Sequence, residues 1–278
     1  GRTVGWKSRW CRASPDRAGP RLTPATGPRK RPVPLGDNDR MNHDFTLLFD
    51  LDGTLVHTDE LHFAAFQALL ADFGRTLTID TYRDRIMGAS NEAIMRELFP
   101  DEPVEAKVRL ADRKESLFRS AVTALEPTRG VIEVLDWAKH NGVRVGVVTN
   151  APRPNADLML GAIGIAGRID ALVIGEELTR GKPDPLPYLT GLERLDGDAG
   201  RAIAFEDSLS GVRSASRAGI HTFALRGALP DDALLDAGAN VLIDDFLSPA
   251  LWRALDAVQR GEAFRDERSG APSGRARA

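Results

Sequence analysis

The stretch Phe45-Thr46-Leu47-Leu48-Phe49-Asp50-Leu51-Asp52-Gly53-Thr54 decides how this chain is read. A short apolar run of this kind, ended by an acid, predicts a strand buried on both faces. Asp50 and Asp52 stand two apart at its end, and Gly53 lets the backbone turn tightly there. Two carboxylates so placed reach the same space once the chain turns. An ordinary Asp-Gly turn has the same composition, so the rest of the chain must decide between a turn and a site.

Outward from this stretch the pattern repeats. Val143–Val148 ends in Thr149-Asn150, Ala171–Ile174 is followed by Gly175, and Ala202–Phe205 ends in Glu206-Asp207; Thr222–Leu225 and Val241–Ile243 come after. Helical spacing fills the intervals at Val131–His140, Asn155–Ile163, Pro185–Leu195 and Leu209–Ala218. Strands alternating with helices predict an α/β fold with a Rossmann-like, doubly wound parallel sheet. In such sheets a ligand sits at the carboxyl ends of the strands.

One segment breaks the alternation. From Thr58 to Thr123 no strand pattern is found. Leu61, Ala65 and Leu69, with Phe63, Phe66, Leu70 and Phe73, follow helical spacing, and so do Asn91–Leu98 and Glu105–Ala121. The expected organisation is a catalytic core over 44–57 and 124–260, with a helical cap domain over 58–123. The cap leaves the core at the strand end that carries the carboxylates, so it can act as a lid.

Composition bounds the partners. The 278 residues carry a formal net charge of −3, which argues against an electrostatic nucleic-acid binder. The single cysteine, Cys11, excludes an internal disulfide framework and a cysteine-based zinc site. No stretch approaches the roughly 18–20 apolar residues of a membrane span. The expected partner is a small molecule, the expected compartment is the cytoplasm, and oligomeric state is not readable.

The charge is uneven. Residues 1–40 hold ten Lys/Arg against three Asp/Glu, with six of the 17 prolines. Without an apolar run they cannot offset their ordering entropy. A disordered basic extension is expected over 1–43, and a polar, disordered tail over 261–278. Met41 reads as the natural start, with the upstream residues a spurious or engineered extension. An organellar leader and a basic interaction tail are the alternatives; the apolar segment of a secretory signal is missing. A chain starting at Met41 is therefore expected to keep its melting temperature and its activity. A large loss in thermal unfolding would contradict this.

Four short motifs carry the chemistry. A carboxylate such as Asp50 can be a nucleophile that accepts a phosphoryl group, and Asp52 beside it can be a general acid and base. Thr149-Asn150 offers a hydroxyl and backbone donors suited to phosphate oxygens. Gly181-Lys182-Pro183-Asp184-Pro185 brings one point charge in a loop. Phe205-Glu206-Asp207-Ser208 adds oxygen ligands that, with Asp50, suit Mg²⁺. Each has a bland explanation: Thr149 a turn residue, Lys182 a solvated charge, Glu206-Asp207 a helix start. Their joint occurrence at successive strand and loop ends favours one site.

With these motifs the chain resembles the haloacid dehalogenase superfamily, in its Mg²⁺-dependent phosphohydrolase branch, from about Phe45 to Asp245. The spacing is similar to the subgroup with a small helical cap, as in phosphoglycolate phosphatases and β-phosphoglucomutases. The resemblance implies Asp50 as nucleophile and metal ligand. It implies Asp52 as general acid and base, binding metal through its backbone carbonyl. Thr149 and the Asn150 amide would bind the phosphoryl group, Lys182 would neutralise charge, and Glu206 and Asp207 would complete the metal site. The implied activity is hydrolysis of a small phosphorylated metabolite, either phosphoglycolate or a sugar or polyol phosphate.

Three alternatives are weighed against this. A dehalogenase needs no proton for its halide, so Asp52 argues against it. A non-enzymatic phosphoryl-accepting switch has acidic strand ends, a Thr and a Lys, but lacks the cap and the second carboxylate. A sugar phosphomutase is nearer. Thr58 and His62 fall where β-phosphoglucomutases carry a hinge threonine and a cap histidine. Met87 and Asn91, around Gly88-Ala89-Ser90, stand where the resemblance calls for a lysine and an arginine. His62 either reaches the site or packs beside Phe66 one turn later. Arg153 is either a contact for a distal anionic group or a solvated loop residue, and Arg83 and Arg85 share that ambiguity.

Overall fold

The computed structural model describes residues 45–260. The extension expected over 1–43 and the tail over 261–278 lie outside them. Strand β1 (Thr46–Phe49) is followed by a helical insert of α1 (Asp59–Ala71), α2 (Ile79–Arg85), α3 (Asn91–Leu98) and α4 (Val104–Ala121). The chain then runs through α5 (Val131–His140), β2 (Arg144–Thr149), α6 (Arg153–Ala162), β3 (Ala171–Ile174) and α7 (Leu186–Arg194). It ends with β4 (Ala202–Glu206), α8 (Leu209–Arg217), β5 (His221–Leu225), α9 (Asp231–Ala237), β6 (Val241–Ile243) and α10 (Pro249–Gln259).

The six strands form one parallel sheet in the order β3-β2-β1-β4-β5-β6. The chain winds outward from β1 through β2 to β3, then returns to β4 on the other side. The carboxyl ends of β1 and β4 therefore flank the switch point, where an open α/β sheet leaves a crevice. Register completes the placement. Phe49 is level with Val147 on one side and Phe205 on the other. Asp50 consequently falls beside Glu206, and its N–H donates to the Phe205 carbonyl at 2.9 Å.

Side-chain alternation along β1 divides the core. Leu47 and Phe49 face a cluster with Val134, Leu135, Met159, Leu251 and Leu255 from α5, α6 and α10. Leu48 faces the opposite cluster with Tyr188, Leu192 and Ala215 from α7 and α8. Phe49 stacks on Phe205 with ring centroids 4.6 Å apart, which stiffens the floor beneath Asp50. The insert has its own core of Phe66, Leu69, Tyr82, Ile94, Met95 and Phe99 among others.

Two differences from the sequence reading concern helices. Helix α2 was not expected, because Tyr82 is its only buried residue and no apolar period marks it. Its start is fixed instead by the Thr78 hydroxyl, which accepts from the Thr81 N–H at 3.2 Å. Helices α9 and α10 also lie beyond the helices expected, although Leu251, Leu255 and Val258 of α10 recur at helical spacing on its buried face.

Candidate active site

At the switch point Asp50, Glu206 and Asp207 bring ligand oxygens within 4.8 Å of one another. Lys182 arrives from the loop before α7 and is buried. Its Nζ donates to Asp50 Oδ1 at 2.5 Å and to Glu206 Oε1 at 2.5 Å. The Tyr188 hydroxyl donates to the same Glu206 oxygen at 2.8 Å. Glycines make room for this crowd. A Cβ on Gly53 would overlap the Asp207 carboxylate, and Gly53 also turns at φ +77°. A Cβ on Gly211 would overlap the Glu206 carboxylate.

Three carboxylates, Asp50 and Glu206 buried and Asp207 half-buried, face one ammonium. The Asp50 carboxyl is raised to about 8: burial, Glu206 and Asp52 push it up and outweigh the opposing pull of Lys182. Burial, with Asp50 and Glu206 beside it, likewise holds Asp207 well above the usual carboxylate range. Lys182 is held above its ordinary value: burial lowers it, but Asp50 and Glu206 outweigh burial. The cluster thus carries more potential negative charge than its own cation balances.

Asp52 is turned elsewhere. Its Oδ1 accepts from the Thr58 hydroxyl at 2.6 Å and lies 2.9 Å from His62 Nε2. His62 Nδ1 lies 2.8 Å from Lys114 Nζ. A lysine ammonium only donates, so Nδ1 accepts and Nε2–H donates to Asp52. The imidazole is stacked on Phe118, with ring centroids 4.0 Å apart. Lys114 sits over the Phe66 ring at 4.5 Å. Burial pushes the Asp52 carboxyl up, but His62, Thr58 and the Lys114 charge bring it below its ordinary value. Burial lowers the Lys114 ammonium against the opposing pull of Glu115.

A cavity of about 90 Å³ is lined by Asp50, Asp52, His62, Thr149, Asn150, Lys182 and Asp207 together with insert residues such as Met87 and Asn91. The insert is seated over it. The Gly88 carbonyl accepts from the Ser210 hydroxyl at 2.6 Å and from Asn150 Nδ2 at 3.5 Å. A groove of about 1010 Å³ adjoins it and shares Asn91, Glu115, Asn150, Pro152 and Lys182 with it.

A sequence profile for the family described as haloacid dehalogenase-like hydrolase matches residues 47–225. This span runs from β1 through the insert to β5, and it contains every carboxylate and both lysines just placed. The chain belongs to the haloacid dehalogenase-like hydrolases. A phosphorylated carbohydrates phosphatase of Thermotoga maritima is 33% identical over 204 residues, covering 71% of this chain and 93% of its own. Validoxylamine A 7'-phosphate phosphatase of Streptomyces hygroscopicus subsp. limoneus is 31% identical over 212 residues, covering 74% and 95%. Among solved structures, CbbY from Rhodobacter sphaeroides in complex with phosphate superposes with a TM-score of 0.68 at 28% identity, covering 76% and 98%. This haloacid dehalogenase-like hydrolase is a phosphoric monoester hydrolase.

Such hydrolases are typically metal-dependent, and the donors here suit a hard divalent cation. Asp50, Glu206 and Asp207 offer oxygen only, and their unbalanced charge is what a dication would satisfy.

The residues singled out in the sequence are not all together. Asp50, Asp52, His62, Thr149, Asn150, Lys182 and Asp207 line one cavity, with Glu206 fully buried behind Lys182. Arg153 lines the adjoining groove instead, and Glu177 takes its guanidinium in two bonds of 2.6 and 2.8 Å. Arg85 pairs with Glu97 on the exposed side of the insert. Sequence reasoning missed Lys114, Glu115 and Tyr188. The one available signal was a Lys-Glu pair on the helical face that also carries Phe118.

Proposed function

We propose that this chain is a Mg²⁺-dependent phosphatase that hydrolyses a small phosphorylated metabolite, a sugar or polyol phosphate or phosphoglycolate, through an aspartyl-phosphate on Asp50. The observation that carries the reading is the division of labour between two neighbouring carboxylates. Asp50 is paired with Lys182 inside the acidic cluster, whereas Asp52 is held outside it by Thr58 and His62. One is arranged as a nucleophile, the other as a proton carrier.

In this reading Asp50 attacks phosphorus while Lys182 offsets the repulsion between two anions. The Thr149 hydroxyl and the Asn150 amide receive the oxygens of the transferring group. Asp52, ionised as it stands beside His62, takes up a proton as the substrate binds and gives it to the departing alkoxide, then takes one from the water that cleaves the aspartyl-phosphate. Mg²⁺ held by Asp50, Glu206, Asp207 and the Asp52 carbonyl would neutralise phosphate charge. The docked insert keeps bulk water from the first step.

The phosphatase relatives support hydrolysis of a phosphorylated carbohydrate. Met87 and Asn91 favour hydrolysis over a mutase, which must grip the second phosphate of a bisphosphate. Asn91 is neutral, and its amide is already given to Glu176 Oε1 at 3.0 Å. Charge-assisted contacts to phosphate are worth about 1.5–3 kcal/mol each, so lacking two weakens bisphosphate binding by roughly 10²–10⁴-fold.

The test is a panel of phosphorylated metabolites, with Mg²⁺ and with a chelator. Inorganic phosphate release is expected with Mg²⁺, without any bisphosphate activator, and its loss is expected on chelation. Conversion of β-glucose 1-phosphate to glucose 6-phosphate faster than phosphate appears would overturn the hydrolase reading.

A further inference from the structure

Behind His62 a buried polar chain crosses from the insert into the core, and the acidic cluster takes no part in it. Glu115 and Arg119 stand four residues apart on α4, so they share one face of that helix. Asn155, in the first turn of α6, reaches between them. Its Nδ2 donates to Glu115 Oε2 at 2.6 Å, and its Oδ1 accepts from Arg119 Nη1 at 2.8 Å. Glu115 Oε1 in turn accepts from Lys114 Nζ at 3.0 Å. Asn155 has 0% of its surface exposed, Lys114 3% and Glu115 5%. From Lys114 the chain continues to His62 and Asp52.

The amide is matched to its place. A carboxamide has a donor at one end and an acceptor at the other, which suits an anion and a cation one helical turn apart. Aspartate at 155 would keep the Arg119 bond but present like charge to Glu115. A hydrophobic residue would leave buried charged groups short of partners, which is costly. The bonds of Asn155 exist only while α4 rests on α6, because they join the insert to the core.

We propose that Asn155 is a positioning residue for the general acid. By clamping Glu115 and Arg119 it fixes Lys114, and through Lys114 and His62 it orients the Asp52 carboxyl. This rests on the reading of Asp52 as the acid given above.

The test uses the full chain and two substrates of nearly the same shape. p-Nitrophenolate leaves without a proton, whereas the more basic phenolate leaves faster with one. Single-turnover release of each alcohol from p-nitrophenyl phosphate and phenyl phosphate reports the first step alone. Asn155→Asp is expected to slow phenol release about tenfold, with nitrophenol release within about twofold and KM for both little changed. Glu115→Gln keeps the volume and should show the same selectivity, so the proposal stays testable if Asn155→Asp does not fold. Equal slowing of both substrates by the folded variants, or no slowing of either, would overturn the positioning role. If Asp52→Asn is selective and these variants are not, only this inference fails. If Asp50→Asn and Asp52→Asn leave both rates unchanged, the phosphatase mechanism itself fails.

Discussion

Asp50→Asn is expected to abolish phosphate release, by more than about 10⁴-fold, as loss of a covalent nucleophile does elsewhere. An amide is a poor nucleophile and a weaker metal ligand than a carboxylate. The fold should survive. The substitution conserves volume, relieves one of three clustered acids, and leaves Lys182 its bond to Glu206. Calorimetry beside the phosphate assay separates loss of chemistry from loss of structure. A folded variant that keeps turnover within tenfold of the parent would remove Asp50 from the mechanism.

Asp52→Asn should act differently. Its amide oxygen can still accept from Thr58 and His62, and its backbone carbonyl is untouched, so folding and Mg²⁺ binding are expected to persist. What disappears is the transferable proton. Turnover of alkyl phosphates should fall by roughly 10²–10⁴-fold, the usual contribution of a positioned acid and base. With p-nitrophenyl phosphate the first step needs no acid. That substrate should give a burst of about one equivalent of nitrophenol before slow breakdown of the phosphoenzyme, which still lacks its base. Unchanged turnover of alkyl phosphates, or no burst, would contradict the role.

The strand ends were legible in the sequence for a physical reason. In a parallel sheet covered on both faces the strands are continuous apolar runs, so the polar residue that ends each run stands out. Asp50, Thr149 and Glu206 were found that way, and the register of β1 with its two neighbours brings those ends side by side. The Asp52-His62-Lys114 relay was legible only at its first two members. Lys114 and Glu115 look like ordinary helix-surface charges, and only packing of α4 against α1 and α6 buries them. Asn155 was read as the beginning of a helix; its two bonds run to residues 36 and 40 positions earlier in the chain, and no local pattern announces them. Arg153 stood out beside Thr149-Asn150, yet the structure spends its charge on Glu177.

The central claim is that Asp50 carries the phosphoryl group. Rapid acid quench during turnover of p-nitrophenyl phosphate, followed by mass spectrometry of the peptide containing Phe49–Thr54, tests it most directly. The account predicts a mass gain of one phosphoryl group located on Asp50, larger in Asp52→Asn because breakdown is slowed, and absent in Asp50→Asn. Turnover without any modification of Asp50 in either the parent or Asp52→Asn, or a phosphoryl group found on another residue, would contradict it.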